Sequence, residues 1–469
     1  MASVRNFVPG SGYGNTYIDS LVWGGTIWDM SAGPIKVWFG ESWDYDLAGD
    51  YHYGDDSEIL TSGADAVRWN ESEKSLFFDY ATYLYEMVCG LRFEVATSVD
   101  QADIVWWKTQ IGDGVLGYHD IPDPNGGQIW GYFDPTTESW GNQHFGGDGL
   151  NTIVHEMGHG LGLAHPHDGG GNADGTTFPG VPKGESSSIG DYGLNQGIWT
   201  IMSYNPGWDA TGYNVTYGNQ CGLGAFDIAA LQALYGPNYA TGAGDNTYEL
   251  STGTTGWFCI WDSGGTDQMV AAPGSFGAII DLRAATLAEG DPNAGGFASS
   301  EDYVAGGLTI ANGVVIENAV GGDGPDNLIG NFAANTLTGN GGNDALWGDL
   351  GNDVLTGGAG RDVFVFDARP NQLTNKDHIA DYNVSADTIW LDNAAFSKLG
   401  KGSYDRPVKI KSDMFVKAAR AQDREDRIIY DSKKGVLYYD ADGTGKSKQV
   451  EIATLKKGLK MTYAEFFVV

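Results

Sequence analysis

Apolar positions in this chain follow first one period and then another. Leu76, Phe77, Tyr80, Tyr83, Leu84, Met87 and Val88 recur at the spacing of one helix face. Asn70, with Glu73 three residues on, forms a capping box ahead of them, and Gly90 closes the run. This predicts one long helix whose aromatic residues belong to the core. Around it lie branched and aromatic runs that predict short strands: Ile35 to Phe39, Leu91 to Ala96, Asp103 to Trp107, Gly114 to His119 and Gln128 to Phe133. Tyr17 to Trp28 reads as an opening segment. The expected first layer is a mixed sheet with the long helix packed on it. Asp227 to Tyr235 is helical again and is stopped by Gly236-Pro237.

From Gly321 the period becomes nine. The units GGDGPDNLI, GNFAANTLT, GNGGNDALW, GDLGNDVLT and GGAGRDVFV begin at Gly321, Gly330, Gly339, Gly348 and Gly357. Position eight is always apolar (Leu328, Leu337, Leu346, Leu355, Phe364), a register that a flexible linker would not need. The template predicts turns stacked into a parallel β-roll with these side chains inside. Position six is Asp326, Asp344, Asp353 and Asp362, with Asn335 in the second unit. Aspartate is a hard oxygen ligand, and glycine permits the tight turns. Calcium is therefore expected on those acids, framed by Gly322, Gly324, Gly339 and Gly341. The Asn335 unit is expected to bind more weakly or to cap the stack.

Composition sharpens this picture. Glycine, 71 of 469 residues, is about twice its usual share, yet the hydrophobic content is that of a globular protein. The length predicts two or three domains. Net charge is −34, but from Asn371 onward there are 17 Lys+Arg against 14 Asp+Glu, so the acidity lies before that point. Such acidity argues against nucleic-acid binding and suits a calcium-loaded or secreted protein. Cys89, Cys221 and Cys259 form no CxxC pair; buried thiols are expected, with one disulfide left open. Residues 1–14 show no basic segment followed by an apolar core, and no run is long enough for a membrane span. A cytosolic protein, or one exported by another route, is the expectation.

The chemistry concentrates at His155-Glu156-Met157-Gly158-His159-Gly160-Leu161-Gly162-Leu163-Ala164-His165. On a helix His155 and His159 share a face and can hold one ion. Glu156 projects toward the same cleft as a general base for a metal-bound water. Gly162 can take a left-handed turn that ends the helix and swings His165 back as third ligand. Three neutral imidazoles would then hold Zn²⁺ with positions open for water and substrate. His119, His144 and His167 do not fit the ligand spacing and are expected to be solvated or locally bonded.

Ile201-Met202-Ser203-Tyr204-Asn205 follows some tens of residues later. The extended histidine motif with this Met-x-Tyr turn resembles the metzincin metallopeptidases. His165-Pro166, Met-Ser-Tyr and the nonapeptides resemble the serralysin branch, over nearly the whole chain. The resemblance implies an α+β metzincin catalytic domain, a mixed twisted sheet with long helices. An all-β C-terminal domain with a calcium-binding parallel β-roll would follow it. The expected limits are 1–240 and 241–469, with repeats over 321–365. The resemblance also implies that Met202 floors the zinc and that Tyr204 is a loose fourth ligand and then an oxyanion donor. It adds calcium loops at Asp262, Gly264, Gly265 and Asp267, at Glu317, and at Asp377 and Asp381 in a segment closing the roll. Ala284 to Tyr303 reads as a loop insertion.

The implied function is a secreted zinc endopeptidase of broad specificity, with substrate extended along an edge strand near Gly117 and Tyr118. The terminal Glu465-Phe466-Phe467-Val468-Val469 resembles an uncleaved type I secretion signal; a last core strand is the other reading, and one segment could be both. Implied partners are protein or peptide substrates, the type I secretion machinery and a small proteinaceous inhibitor, for a monomer that is extracellular or held at the cell surface. Two alternatives stay open. One is an RTX surface-binding protein in which the Lys-rich tail matters. The other is a processing protease with one dedicated target, its cleft restricted by the long loop from His167 to Thr200. In the tail, Arg427 to Tyr430 and Val436 to Tyr439 predict a hairpin. Asp440 to Gly445, with Glu451, partly matches an EF-hand loop, but a β-turn is the better reading.

Overall fold

The structure is a computed structural model, and it describes all residues except 1–2, 49–58, 61, 113, 171–173, 209–217 and 251–255. In the first half a five-stranded sheet has the order Phe93–Val95, Ile35–Phe39, Ile104–Lys108, Ile129–Phe133, Gly117–His119. The first four strands run parallel, and the Gly117–His119 edge strand is antiparallel to its neighbour. Ile104–Lys108 and Ile129–Phe133 are buried on both faces, which is why they are continuously apolar apart from the terminal lysine and a glycine. That lysine, Lys108, is neutralised by Glu73, with Nζ 2.6 Å from Oε2. The expected strands are all present: Ile35–Phe39 with the bounds expected, and the others with ends shifted by one to three residues. The opening segment divides into the helix Thr16–Leu21 and the strand Gly25–Trp28, which pairs with Val4–Val8.

The long helix runs from Glu71 to Val88 with a π-helical stretch at Leu76–Ala81. Its capping box is formed: Asn70 Oδ1 accepts from Glu73 N, and Glu73 Oε2 accepts from Asn70 N. Phe77, Leu84, Tyr85 and Val88 enter the core that the sheet shares with the motif helix Asp148–Gly160 and with Ala225–Tyr235. The three cysteines are buried and unlinked.

In the second half the nonapeptides form two parallel sheets. Each unit pairs with the next but one, at a register of eighteen: Leu328 with Leu346, Leu346 with Phe364, and Leu337 with Leu355. All five side chains are fully buried between the sheets. The Asp377–Tyr382 segment does not close the stack, as the sequence reading expected. Asp377–Ile379 pairs onward with Val450–Thr454, and Val363–Phe366 with Thr388–Leu391 and then Phe466–Val468. The correction has a plain cause: these later layers lack the nonapeptide glycines, so nothing marks them locally. The chain terminus is thus a buried core strand. The hairpin Ile428–Asp431 with Val436–Tyr439 is formed, and Asp440 Oδ1 accepts from Gly443 N in the turn after it.

Candidate metal centre and active site

His155, Glu156 and His159 project from the buried face of the motif helix. The helix ends at Gly160, and Gly162 has φ +96°, a conformation that disfavours other residues. His165 thereby returns to the helix. Its Nε2 lies 3.1 Å from Nε2 of His155 and 3.0 Å from Nε2 of His159.

The other ring nitrogens decide what this cluster can hold. Nδ1 of His155 meets Ile201 O at 2.8 Å, Nδ1 of His159 meets Leu163 O at 3.0 Å, and Nδ1 of His165 meets Asp168 Oδ2 at 2.8 Å. Carbonyl and carboxylate oxygens only accept, so each Nδ1 donates its proton and each Nε2 presents a bare lone pair. Three lone pairs converging at this distance repel one another unless a cation takes them. The donor set suits zinc, with each imidazole oriented by its own acceptor. Burial, helped by His165, pushes His155 down to about 3; burial, then His155, holds His159 well below its ordinary value. Both rings are therefore neutral, as metal ligands must be.

Burial also pushes the Glu156 carboxyl up to about 8, and a cation on the imidazoles would act in the opposite direction. A Cβ on Gly117 would come 2.7 Å from Glu156 Cγ, so the edge strand passes directly against this side chain. One cleft of about 500 Å³ is lined by Gly117, Glu156, His165 and Tyr204, and another of about 410 Å³ by Thr152, His155, Glu156 and Tyr204. Gly117 borders both, so the open edge of the sheet runs alongside the whole trough.

Met202 is fully buried beneath the motif helix, where a Cβ on Gly158 would strike its Sδ at 2.8 Å. Tyr204 remains 54% exposed, with its ring centroid 4.6 Å from that of His165. Burial pushes its phenol up to about 12, so it keeps its proton as a donor.

Three residues of the site escaped the sequence reading. Asp168 accepts both the ring and backbone N–H of His165. Its place three residues after the third histidine was the signal available. Asp227 accepts from Thr200 Oγ1 and Ile201 N at 2.6 Å and from Gly224 N at 2.8 Å, although burial pushes its carboxyl up to about 7. His119 is locally bonded, its Nδ1 on Asp120 O, the second of the two states expected for it, but it is also buried against Gly131 and Gly160 and borders the larger cleft. Burial pushes it down to about 4.

The acids singled out in the second half come together in two ladders. Asp344 Oδ1 accepts from Asp326 N, Asp362 Oδ1 from Asp344 N, and Asp387 Oδ1 from Asp362 N. On the other edge Asp353 Oδ1 accepts from Asn335 N and Asp377 Oδ1 from Asp353 N. Asp344 Oδ2 and Asp353 Oδ2 are buried without a hydrogen-bond partner, as is Asp267 Oδ2. Glu317 Oε2 accepts from Asp267 N, and Asp262 Oδ1 from Gly264 N in a turn where Gly264 and Gly265 have φ +134° and +152°. Buried orphan carboxylate oxygens fit a hard cation. The Asn335 unit is built otherwise: Nδ2 of Asn335 and Asn331 donate to Glu317 O, Leu282 O and Ile316 O. Asp381 accepts from Gly357 N and Gly358 N.

Residues 226–434 match the family described as peptidase M10 serralysin C terminal. The chain is 35% identical over 197 residues to a metallopeptidase AprA of Pseudomonas marginalis, covering 38% of this chain and 36% of that one. It is 35% identical over 218 residues to a serralysin of Proteus mirabilis, covering 43% and 39%. With a serralysin of Photorhabdus luminescens it shares 30% identity over 317 residues, 60% of each. These matches support a serralysin-type family for the chain. It spans 36% to 60% of the length of these relatives. Among the described residues no helix is long and apolar enough to cross a membrane.

Proposed function

We propose that this chain is a secreted, calcium-stabilised zinc endopeptidase, its peptidase domain at 1–240 and its calcium-binding β-roll domain at 241–469. The convergence of three Nε2 lone pairs beside a buried glutamate carries this reading. His155, His159 and His165 would hold the ion, with Tyr204 as a loose fourth ligand. When bound, the ion supplies Lewis acidity for the scissile carbonyl and an acidified water. Glu156 takes the proton of the attacking water and passes it to the leaving amine. Tyr204 donates its phenolic hydrogen to the developing oxyanion, and its exposed ring is free to move there from the metal. An extended peptide pairs with the Gly117–His119 edge strand through backbone hydrogen bonds. Main-chain pairing asks little of side chains, which fits broad specificity. In the roll, calcium would sit against Asp267, Asp344 and Asp353.

Casein hydrolysis by wild type and Glu156→Ala, with zinc analysis and calcium in the buffer, tests the reading. Zinc in both proteins and activity only in wild type is the expected result. Zinc missing from folded, metal-supplied wild type would overturn the site.

A further inference from the structure

His167 stands in the site without a task. Its ring stacks on that of His165, with centroids 5.1 Å apart and planes at 17°, and lies 5.2 Å from the Tyr204 ring. Nδ1 is buried and has no hydrogen-bond partner. Nε2 lies 3.9 Å from Asp168 Oδ1, while Asp168 Oδ2 is committed to His165. An imidazole nitrogen and a carboxylate oxygen therefore face one another with capacity to spare. On a tetrahedral zinc these two atoms would be about 3.4 Å apart, so a small side-chain movement brings both onto one ion.

We propose that His167 and Asp168 form a second, weaker zinc site beside the three-histidine centre, through which excess zinc inhibits the enzyme. The ligand is a borderline divalent cation, because imidazole with carboxylate selects zinc over calcium. Two protein ligands leave the remaining positions to water, which makes the site weak and reversible. Its position accounts for inhibition. A cation on Asp168 competes for the carboxylate that orients His165, and it places positive charge beside the Tyr204 phenol, which must move for catalysis. The inhibitory part rests on the peptidase reading above; the binding part does not.

The test is zinc stoichiometry by equilibrium dialysis, in millimolar calcium, on wild type, His167→Asn and His167→Cys. Inhibition of peptide hydrolysis by added zinc is read alongside, each protein against its own uninhibited rate. Wild type should bind two zinc ions per chain with clearly separated affinities. His167→Asn should bind one, and its inhibition midpoint should rise roughly tenfold or more; His167→Cys, which keeps a zinc donor, should restore the second ion. A second ion of unchanged affinity in His167→Asn, or only one ion in wild type up to millimolar zinc, overturns the proposal. Loss of the tight ion from all three proteins, with a His167-dependent weak ion remaining, upholds this site and removes the peptidase reading instead.

Discussion

Asp168 Oδ2 lies 2.8 Å from Nδ1 of His165 and 3.0 Å from its backbone nitrogen, so one carboxylate fixes both the ring and the main chain of the third histidine. The other two histidines use backbone carbonyls for the same purpose, which no side-chain substitution removes directly. His165 is the ligand that lies beyond the helix, and it is the one that needs a side-chain anchor. Asp168→Ala removes the one oxygen that accepts both N–H groups of His165. Zinc affinity should fall about 10- to 100-fold, as for other outer carboxylates that orient a ligand. Competition with a chromophoric chelator measures it, and unchanged affinity would show that the turn at Gly162 positions His165 without the carboxylate.

Asp227 acts one step further out. It accepts from Thr200 and Ile201, and the Ile201 carbonyl takes the proton of His155. Asp227→Ala strands three donors in the core; at about 1–3 kcal/mol each, the loss of stability should be roughly 3 kcal/mol or more. Asp227→Asn should cost far less. Its amide oxygen can take both N–H groups, and its amide nitrogen can donate to Thr200 once that hydroxyl rotates. Denaturant melts of the two variants should therefore separate widely. Equal destabilisation would mean that the charge, and not the pattern of acceptors, holds the Met202 turn.

The clearance between Gly117 and Glu156 makes a third prediction. A methyl group at 117 would meet Glu156 Cγ at 2.7 Å and Thr152 Cγ2 at 3.2 Å. The glutamate side chain is the softer partner and should move, taking its carboxylate off the water. For Gly117→Ala, kcat is expected to drop about 100-fold, the effect of roughly 1 Å of misplacement, while zinc content and melting temperature stay near wild type. A loss confined to KM would instead assign Gly117 to substrate pairing alone.

These three positions show what could be read from the chain alone. The capping box at Asn70, the φ of Gly162 and the inward face of the nonapeptides each depend on residues close in sequence, and each appears as expected. Asp227 was legible only as a helix residue, because the two partners that tie it to the site lie 26 and 27 residues back. His119 sits on an edge strand, where the pattern predicts solvent, yet the motif helix covers it through Gly160. The outer layers around Asp387 and Phe466–Val468 continue the stack by pairing alone.

The last prediction concerns the second half without calcium. Burial pushes Asp326 up to about 6 and Asp344 up to about 7, and it also raises the contacting pair Asp353 and Asp377. An unfolded aspartate titrates near 3.9, so between about pH 4 and pH 7 the folded, metal-free stack binds protons that the unfolded chain has released. Its stability must therefore fall as pH rises through that window and recover on acidification. Calcium reverses the sign, since protons then compete with the ion for the same oxygens. In chelator, the melting temperature of this half should be higher at about pH 5 than at about pH 8. In millimolar calcium it should be at least as high at the upper pH. Calorimetry at both pH values, with and without calcium, measures all four states. A calcium-free melting temperature that rises with pH would mean that these carboxylates are ionised and satisfied within the protein alone, and the ion would then be unnecessary to the stack.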